Sequence, residues 1–89
     1  MEELLKEIGI TEQPTKSENG LTIDFADSDD YARAYSKLDK SDLVDEDEEN
    51  SQITLENSSI QYTSEDGNYS ITLLADFDAD TYKLNIREN

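Results

Sequence analysis

Carboxylates are the side chains of this sequence whose spacing comes nearest to a known chemical site. Asp76, Asp78 and Asp80 have the 1-3-5 spacing of a calcium-binding loop. The EF-hand pattern also requires Gly at position 6 and Glu at position 12, where this chain has Thr81 and Arg87. We therefore expect no specific calcium site here, and predict an acidic hairpin turn instead.

Catalytic motifs are missing from the rest of the chain. There is no Cys and no His, which leaves no thiolate nucleophile, no Cys-based metal site and no histidine general base. Paired carboxylates could serve glycoside hydrolysis, but 23 acidic residues offer so many pairs that none is distinguished. The three Gly residues stand far apart and form no phosphate-binding loop. We predict that the protein is not an enzyme and has no cofactor and no metal.

The first part of the chain predicts a short helix, a polar linker and a strand. Acidic residues suit the start of a helix over Glu2 to Ile8, and Gly9 is a natural residue to follow its end. Thr11 to Asn19 reads as a linker. A strand opens at Gly20, because apolar residues alternate with polar ones over Leu21, Ile23 and Phe25.

A second helix follows this strand. Either Asp27 or Ser28 can cap its start, and Lys37 and Lys40 lie near its end, where cations are favoured. The residues at helical spacing on its apolar face are Tyr31, Ala34, Tyr35 and Leu38.

The second half of the chain predicts antiparallel strands joined by turns. Ile53 and Leu55 indicate a short strand, Asn57-Ser58 a turn, and Ile60 with Tyr62 the next strand. Asp66-Gly67 lies between two alternating segments, which is a strong hairpin signal. The remaining strands are predicted over Tyr69 to Ala75 and over Tyr82, Leu84 and Ile86.

These elements give the order α-β-α-β-β-β-β within a single domain over residues 1–89. We predict an α+β fold in which two helices pack on one face of an antiparallel sheet of four or five strands. The first strand could pair with the last strand or with the strand after the acidic run. The five tyrosines are expected to pack between helices and sheet with their hydroxyls reaching water, although some could anchor a partner.

Net charge gives the clearest functional signal. The formal value is -16, whereas a magnitude of roughly 2–8 is ordinary for a small domain. Such a charge disfavours direct contact with nucleic acid or with an anionic membrane, and favours a basic partner. The sequence has neither a signal peptide at its start nor an apolar run of membrane-spanning length. We expect a cytoplasmic protein, in the host cell if a phage encodes it.

Five consecutive acidic residues, Asp45–Glu49, form what we call the acidic run. A block of like charge is usually a solvated loop. Here both ends are tethered to structured segments, and more acids lie at the second helix start and at the turns. These acids would form a band if the helix start and the two hairpin turns shared a side. The predicted partner-binding residues are Asp42, Asp45, Glu46, Asp47, Glu48, Glu49, Glu65 and Asp66.

The acidic run followed by Ile53-Thr54-Leu55 resembles acidic stretches in some anti-CRISPR proteins. In size, charge and element mix the whole chain is similar to small acidic phage-type DNA mimics of the anti-CRISPR, anti-restriction and uracil-glycosylase-inhibitor kinds. These proteins share no common fold, so the resemblance transfers no residue roles. It implies an inhibitor that occludes the basic nucleic-acid-binding groove of a nuclease such as a Cas effector.

Two alternatives stay open at this point. An immunity or antitoxin protein would neutralise one toxin nuclease through the same matching of acids to a basic active site. A halophilic or generic acidic domain would use its charge for solubility, and it would unfold at physiological salt and recover only in molar salt.

Overall fold

A six-stranded antiparallel sheet is the frame of the protein, described here from a computed structural model of residues 1–89. Its strands lie in the order β1-β2-β6-β5-β4-β3. The α+β class and the antiparallel sheet are confirmed, whereas the prediction of four or five strands in the order α-β-α-β-β-β-β is wrong. The elements are α1 (Glu2–Ile8), β1 (Thr15–Ser17), β2 (Gly20–Phe25), α2 (Ser28–Lys40), β3 (Val44–Ile53), β4 (Asn57–Ser64), β5 (Tyr69–Asp76) and β6 (Thr81–Glu88).

The acidic run is part of an edge strand and is not a solvated loop, the usual form of a block of like charge. It lies inside β3, which pairs with β4 in the register Val44↔Ser64 to Asp47↔Gln61. Asp and Glu are depleted in strands, but strand preference depends strongly on context. Here the buried Val44 and the backbone ladder with β4 place the acidic residues in extended conformation.

Three smaller boundaries also differ from the prediction. The segment taken as a linker contains β1, which pairs with β2 although each of its residues is exposed. The strand predicted to include Leu55 ends at Ile53, and Asn57 begins β4 rather than a turn. β1 and the start of β4 have too few buried apolar residues to show an apolar alternation, whereas Ile53 and Leu55 do alternate but are exposed rather than buried.

The pairing of β2 was left open by the sequence, and the structure resolves it. β2 lies between β1 and β6, with Leu21 opposite Ile86 and Ile23 opposite Leu84. The hairpins predicted around Gly67 and over residues 76–80 are confirmed as the connections β4–β5 and β5–β6. The sheet is therefore a β3-β4-β5-β6 meander with β2 and β1 added beside its last strand.

One face of the sheet carries the core. A single cluster of 18 buried apolar residues contains Leu5 and Ile8 of α1, Leu38 of α2 and the inward positions of the long strands. The opposite face has no helix and displays a polar row across the strands. In this row the hydroxyl of Thr22 donates to Asn85 over 2.8 Å, and that of Thr72 donates to Gln61 over 3.1 Å.

Helix α2 begins where capping chemistry predicts. The Asp27 carboxylate accepts a hydrogen bond from the Asp30 backbone N–H at 3.0 Å, so Asp27 rather than Ser28 is the N-cap. Tyr31, Ala34 and Leu38 are buried against the sheet. The capped start fixes the helix over the core and leaves the first-turn acid Asp29 exposed at one end of the sheet.

Gly20 should be intolerant of a side chain, because β2 approaches β6 closely at this point. A Cβ at position 20 would overlap the Ile86 carbonyl oxygen and lie 2.9 Å from the Arg87 Cα. We expect Gly20→Ala to lower the free energy of unfolding by roughly 2–3 kcal/mol in urea denaturation. Gly67→Ala is the matched control: its Cβ meets open space, and its φ of +76° costs about 1 kcal/mol. Equal destabilisation by the two variants would contradict the predicted steric overlap.

Candidate functional site: an acidic sheet edge

Asp45, Glu46 and Asp47 occupy the regularly paired part of β3, so their side chains alternate between the two faces of the sheet. Asp45 and Asp47 lie on the helix-free face, opposite Thr63 and Gln61. Glu46 lies on the helix-covered face opposite Tyr62, and remains exposed at the sheet edge. The edge strand therefore presents carboxylates on both sides.

A bulge holds the second part of the acidic run. The pairs Asp47↔Gln61 and Gln52↔Ser59 leave residues 48–51 opposite the single residue Ile60. The Ser51 hydroxyl closes this bulge by donating to the Asp47 backbone carbonyl at 2.8 Å and accepting from the Gln61 N–H at 2.9 Å. Glu48 and Glu49 lie in this bulge with exposed side chains.

The β4–β5 turn brings Glu65 and Asp66 next to the start of β3. The Glu65 N–H donates to the Leu43 carbonyl at 2.8 Å, which ties the turn to the residue after Asp42. Residues 42, 65 and 66 therefore lie together at the end of the sheet where β3 begins. All eight sequence-predicted site residues lie on β3, the segment that leads into it, or the turn beside it: Asp42, Asp45, Glu46, Asp47, Glu48, Glu49, Glu65 and Asp66.

Asp66 differs from the other seven because its carboxylate stabilises the turn. It accepts hydrogen bonds from the Asn68 backbone N–H at 3.0 Å and from the Ser64 hydroxyl at 2.7 Å. These bonds, the Asn68 N–H first, lower the pKa of Asp66. Asp47 accepts one hydrogen bond from the Asn50 side chain. The other six carboxylates have no hydrogen bond or ion pair within the chain and are free to meet cationic groups.

Basic residues are absent from the part of the chain that contains the acidic run. Between Lys40 and Lys83 the sequence has twelve acidic residues and no basic one, whereas the remainder carries eleven acids and all seven bases. We call residues 41–82 the base-free segment; it contains β3, β4 and β5. The two ion pairs, Arg33–Asp30 and Lys83–Asp24, both lie outside it. Negative charge is thus unbalanced along β3 from Asp45 onward, whereas Lys37 and Lys40 lie beside Asp42 at its start and ion pairs balance part of the charge elsewhere.

The acids do not form one band around the molecule. Because the strands are antiparallel, the β5–β6 turn and the start of α2 lie at the end of the sheet opposite the β4–β5 turn. The condition for a continuous band, that both hairpin turns share a side, is therefore not met. Within the β5–β6 turn the Asp76 carboxylate accepts the N–H groups of Asp78 and Ala79, each at 3.1 Å. No group of three or more Asp or Glu side chains in the chain could hold a metal ion.

Tyr62 is a buried residue of this region that sequence reasoning misjudged. Its side chain is 1% exposed, and its hydroxyl has no hydrogen-bond partner, although it was expected to reach water. Burial, followed by the negative charge of Glu46, raises the pKa of Tyr62. Tyr35, half-buried on α2, also has a raised pKa, from burial and then from the charge of Asp39. The environment of Tyr62 could not be predicted from the sequence, because it depends on the pairing of Tyr62 with Glu46 in the sheet.

Comparisons of the chain with protein-family models, with curated proteins and with solved structures give no match. Neither helix has the length and apolar character needed to cross a membrane.

The Tyr62 hydroxyl should destabilise the fold, since a buried hydroxyl without a partner costs about 1–3 kcal/mol. We expect Tyr62→Phe to raise the free energy of unfolding by about 1 kcal/mol at neutral pH. Because the pKa of Tyr62 is raised in the folded state, this tyrosine ionises first in the unfolded chain, which lowers the free energy of unfolding further as pH rises above ~10. The variant should therefore lose less stability between pH 9 and pH 11 in thermal melts.

Tyr31→Phe is the control for this experiment. The Tyr31 hydroxyl lies 3.5 Å from the Ser58 hydroxyl oxygen and has a partner that Tyr62 lacks. Its removal should not stabilise the protein. A decrease in stability for Tyr62→Phe equal to that for Tyr31→Phe would show that the Tyr62 hydroxyl is satisfied in solution.

Proposed function

We propose that the protein is an acidic DNA-mimic inhibitor that occupies the basic nucleic-acid-binding groove of a nuclease, such as a Cas effector or a restriction enzyme. The observation that carries the proposal is the segregation of charge. The acidic run lies on one sheet edge, within a base-free segment of twelve acidic residues. The proposed contacts are carboxylates of this edge, and the proposal assigns no catalytic reaction to the protein.

The spacing of charge along the edge supports mimicry of a nucleic-acid strand. A strand advances about 3.3 Å per residue, and one strand of duplex DNA carries one negative charge per roughly 3.4 Å of its axis. Consecutive acids in extended conformation therefore have a linear charge density close to that of a phosphate backbone. Asp45–Asp47 meet this condition in regular pairing, and the bulge extends the charge through Glu48 and Glu49.

The free carboxylates support competition by direct ion pairing. Six of them have no internal partner, so a Lys or Arg of the target would not have to displace an existing bond. Unbalanced charge on one side of a small protein also steers it toward a basic groove and accelerates association, most strongly at low salt. The inhibitor would then exclude the nucleic acid by occupying the groups that hold its phosphates.

Protection of the sheet edge is a second role for the same residues. Charged side chains and bulges on edge strands prevent edge-to-edge pairing with other sheets, and β3 has both. This role accounts for acids on β3. It does not account for the absence of any base through β4 and β5, nor for the exposed acid Glu65 beside the start of β3.

Neutralising the acidic run tests the proposal directly. We expect the variant with Asp45→Asn, Glu46→Gln, Asp47→Asn, Glu48→Gln and Glu49→Gln to inhibit a sensitive nuclease at least roughly fivefold less well, since exposed ion pairs contribute about 0.2–1 kcal/mol each. The panel should contain a Cas effector, a restriction endonuclease and a bacterial toxin nuclease. Cleavage of a labelled substrate at 0.05 and 0.15 M salt gives the inhibition constant.

A matched variant controls for net charge. Glu2, Glu12, Glu18, Asp24 and Asp29 all lie outside the base-free segment, and changing them to Gln or Asn removes the same number of charges. This variant should keep most of the inhibition. Equal loss in the two variants, or no inhibition of any enzyme by the unaltered protein, would reject the acidic edge as the inhibitory site. Sensitivity of the toxin nuclease alone would favour the immunity-protein alternative.

A further inference from the structure

Three large apolar side chains are exposed at one end of the sheet. Ile53, Leu55 and Phe77 are 69%, 99% and 44% exposed, whereas the large apolar residues of the core are buried. Ile53 ends β3, Leu55 lies in the following turn and Phe77 lies in the β5–β6 turn. We call these three residues the apolar patch. In a chain with only 34% hydrophobic residues, such a concentration outside the core marks a contact surface.

Hydrogen bonds hold the two turns of the patch together. The Phe77 N–H donates to the Glu56 carbonyl at 2.9 Å, which joins the β5–β6 turn to the residue after Leu55. Within the Leu55 turn, the Thr54 hydroxyl accepts the N–H groups of Glu56 at 3.2 Å and of Asn57 at 3.0 Å. Leu55 is therefore presented to solvent by a closed turn rather than by a loose segment.

Aromatic packing connects the patch to the core. The Phe77 ring lies edge-on to the Tyr82 ring, with 6.3 Å between centroids, and Tyr82 in turn packs against Tyr31 at 5.3 Å. Both tyrosines are buried. Because the patch is already ordered, contact with a partner would cost little conformational entropy.

The charge around the patch decides what kind of molecule can cover it. Glu56, Asp76, Asp78 and Asp80 adjoin it, and the base-free segment contains the whole patch. A second copy of this chain, a nucleic acid or an anionic membrane would each bring like charge to this rim. The complementary surface is an apolar depression bordered by Lys and Arg on a basic protein.

We propose that the apolar patch is the anchor that retains the basic protein partner after the acidic edge has attracted it. This inference rests on the proposed function, from which it takes the basic protein as the partner. Strand β3 carries the acidic run and ends in Ile53, so the two surfaces are continuous. Acids at an interface mainly set the association rate, and buried apolar anchors mainly set the dissociation rate.

Binding kinetics with an inhibited nuclease from the panel separate the two surfaces. For the double variant Leu55→Ser and Phe77→Ser we expect an association rate within about twofold of the unaltered protein and a dissociation rate at least tenfold higher. The variant Leu55→Met and Phe77→Leu keeps apolar side chains at both positions and should restore slow dissociation. A dissociation rate unchanged by the serine substitutions would overturn the inference and leave the proposed function standing.

Two synthetic peptides test the patch without any nuclease. One has six lysines separated by serines, and the other has the same lysines separated by leucines. In isothermal titration the unaltered protein should bind the leucine peptide at least fivefold more tightly than the serine peptide, and Leu55→Ser with Phe77→Ser should abolish the difference. Equal affinity of the unaltered protein for both peptides would overturn the inference, whereas failure to bind any nuclease would overturn the proposed function.

Discussion

The backbone ladder between β3 and β4 is the interaction on which the surface of this protein depends. It holds a run of acidic residues, which alone would be a solvated coil, in an extended edge strand. Each side chain of the regularly paired part then points to a defined face of the sheet. Val44 contributes the one buried side chain of β3, and the Ser51 hydroxyl closes the bulge that follows Asp47. Since the acids themselves make almost no internal contacts, their positions are set by neighbours that are neutral.

A one-sided core makes this arrangement compatible with a large net charge. Buried apolar side chains hold both helices to one face of the sheet, while the acids occupy the edge, the turns and the helix starts. Like charges that remain near water repel one another weakly, because solvent and salt screen them. Binding to a basic surface would relieve this repulsion. The same charge that disfavours the isolated folded state would therefore favour a complex.

Apolar periodicity in the sequence was sufficient to predict α2, the strands β2, β5 and β6, and the hairpin at Asp66-Gly67. Each of those elements buries one face, so apolar residues recur in the sequence at strand or helical spacing. β1 and β3 have almost no buried side chains, so their strand conformation comes from backbone pairing with distant residues. The acidic residues can be read from the sequence, but their placement in a strand and their separation from the β5–β6 turn depend on the sheet order. The exposure of Leu55 and Phe77 also could not be predicted, because apolar residues ordinarily indicate burial.

The most direct test of the segregated charge compares two paramagnetic probes, a cationic nitroxide and a neutral nitroxide of the same size. Each probe enhances the relaxation of the backbone amide protons that it approaches. The ratio of the two enhancements at each backbone amide reports the local attraction for a cation. At 0.02 M salt this ratio should be highest along β3 and the β4–β5 turn, lowest near β1, and nearly uniform at 0.5 M salt. A uniform ratio over the surface at low salt would contradict the account, because the β3 edge would then attract cations no more than the rest of the protein.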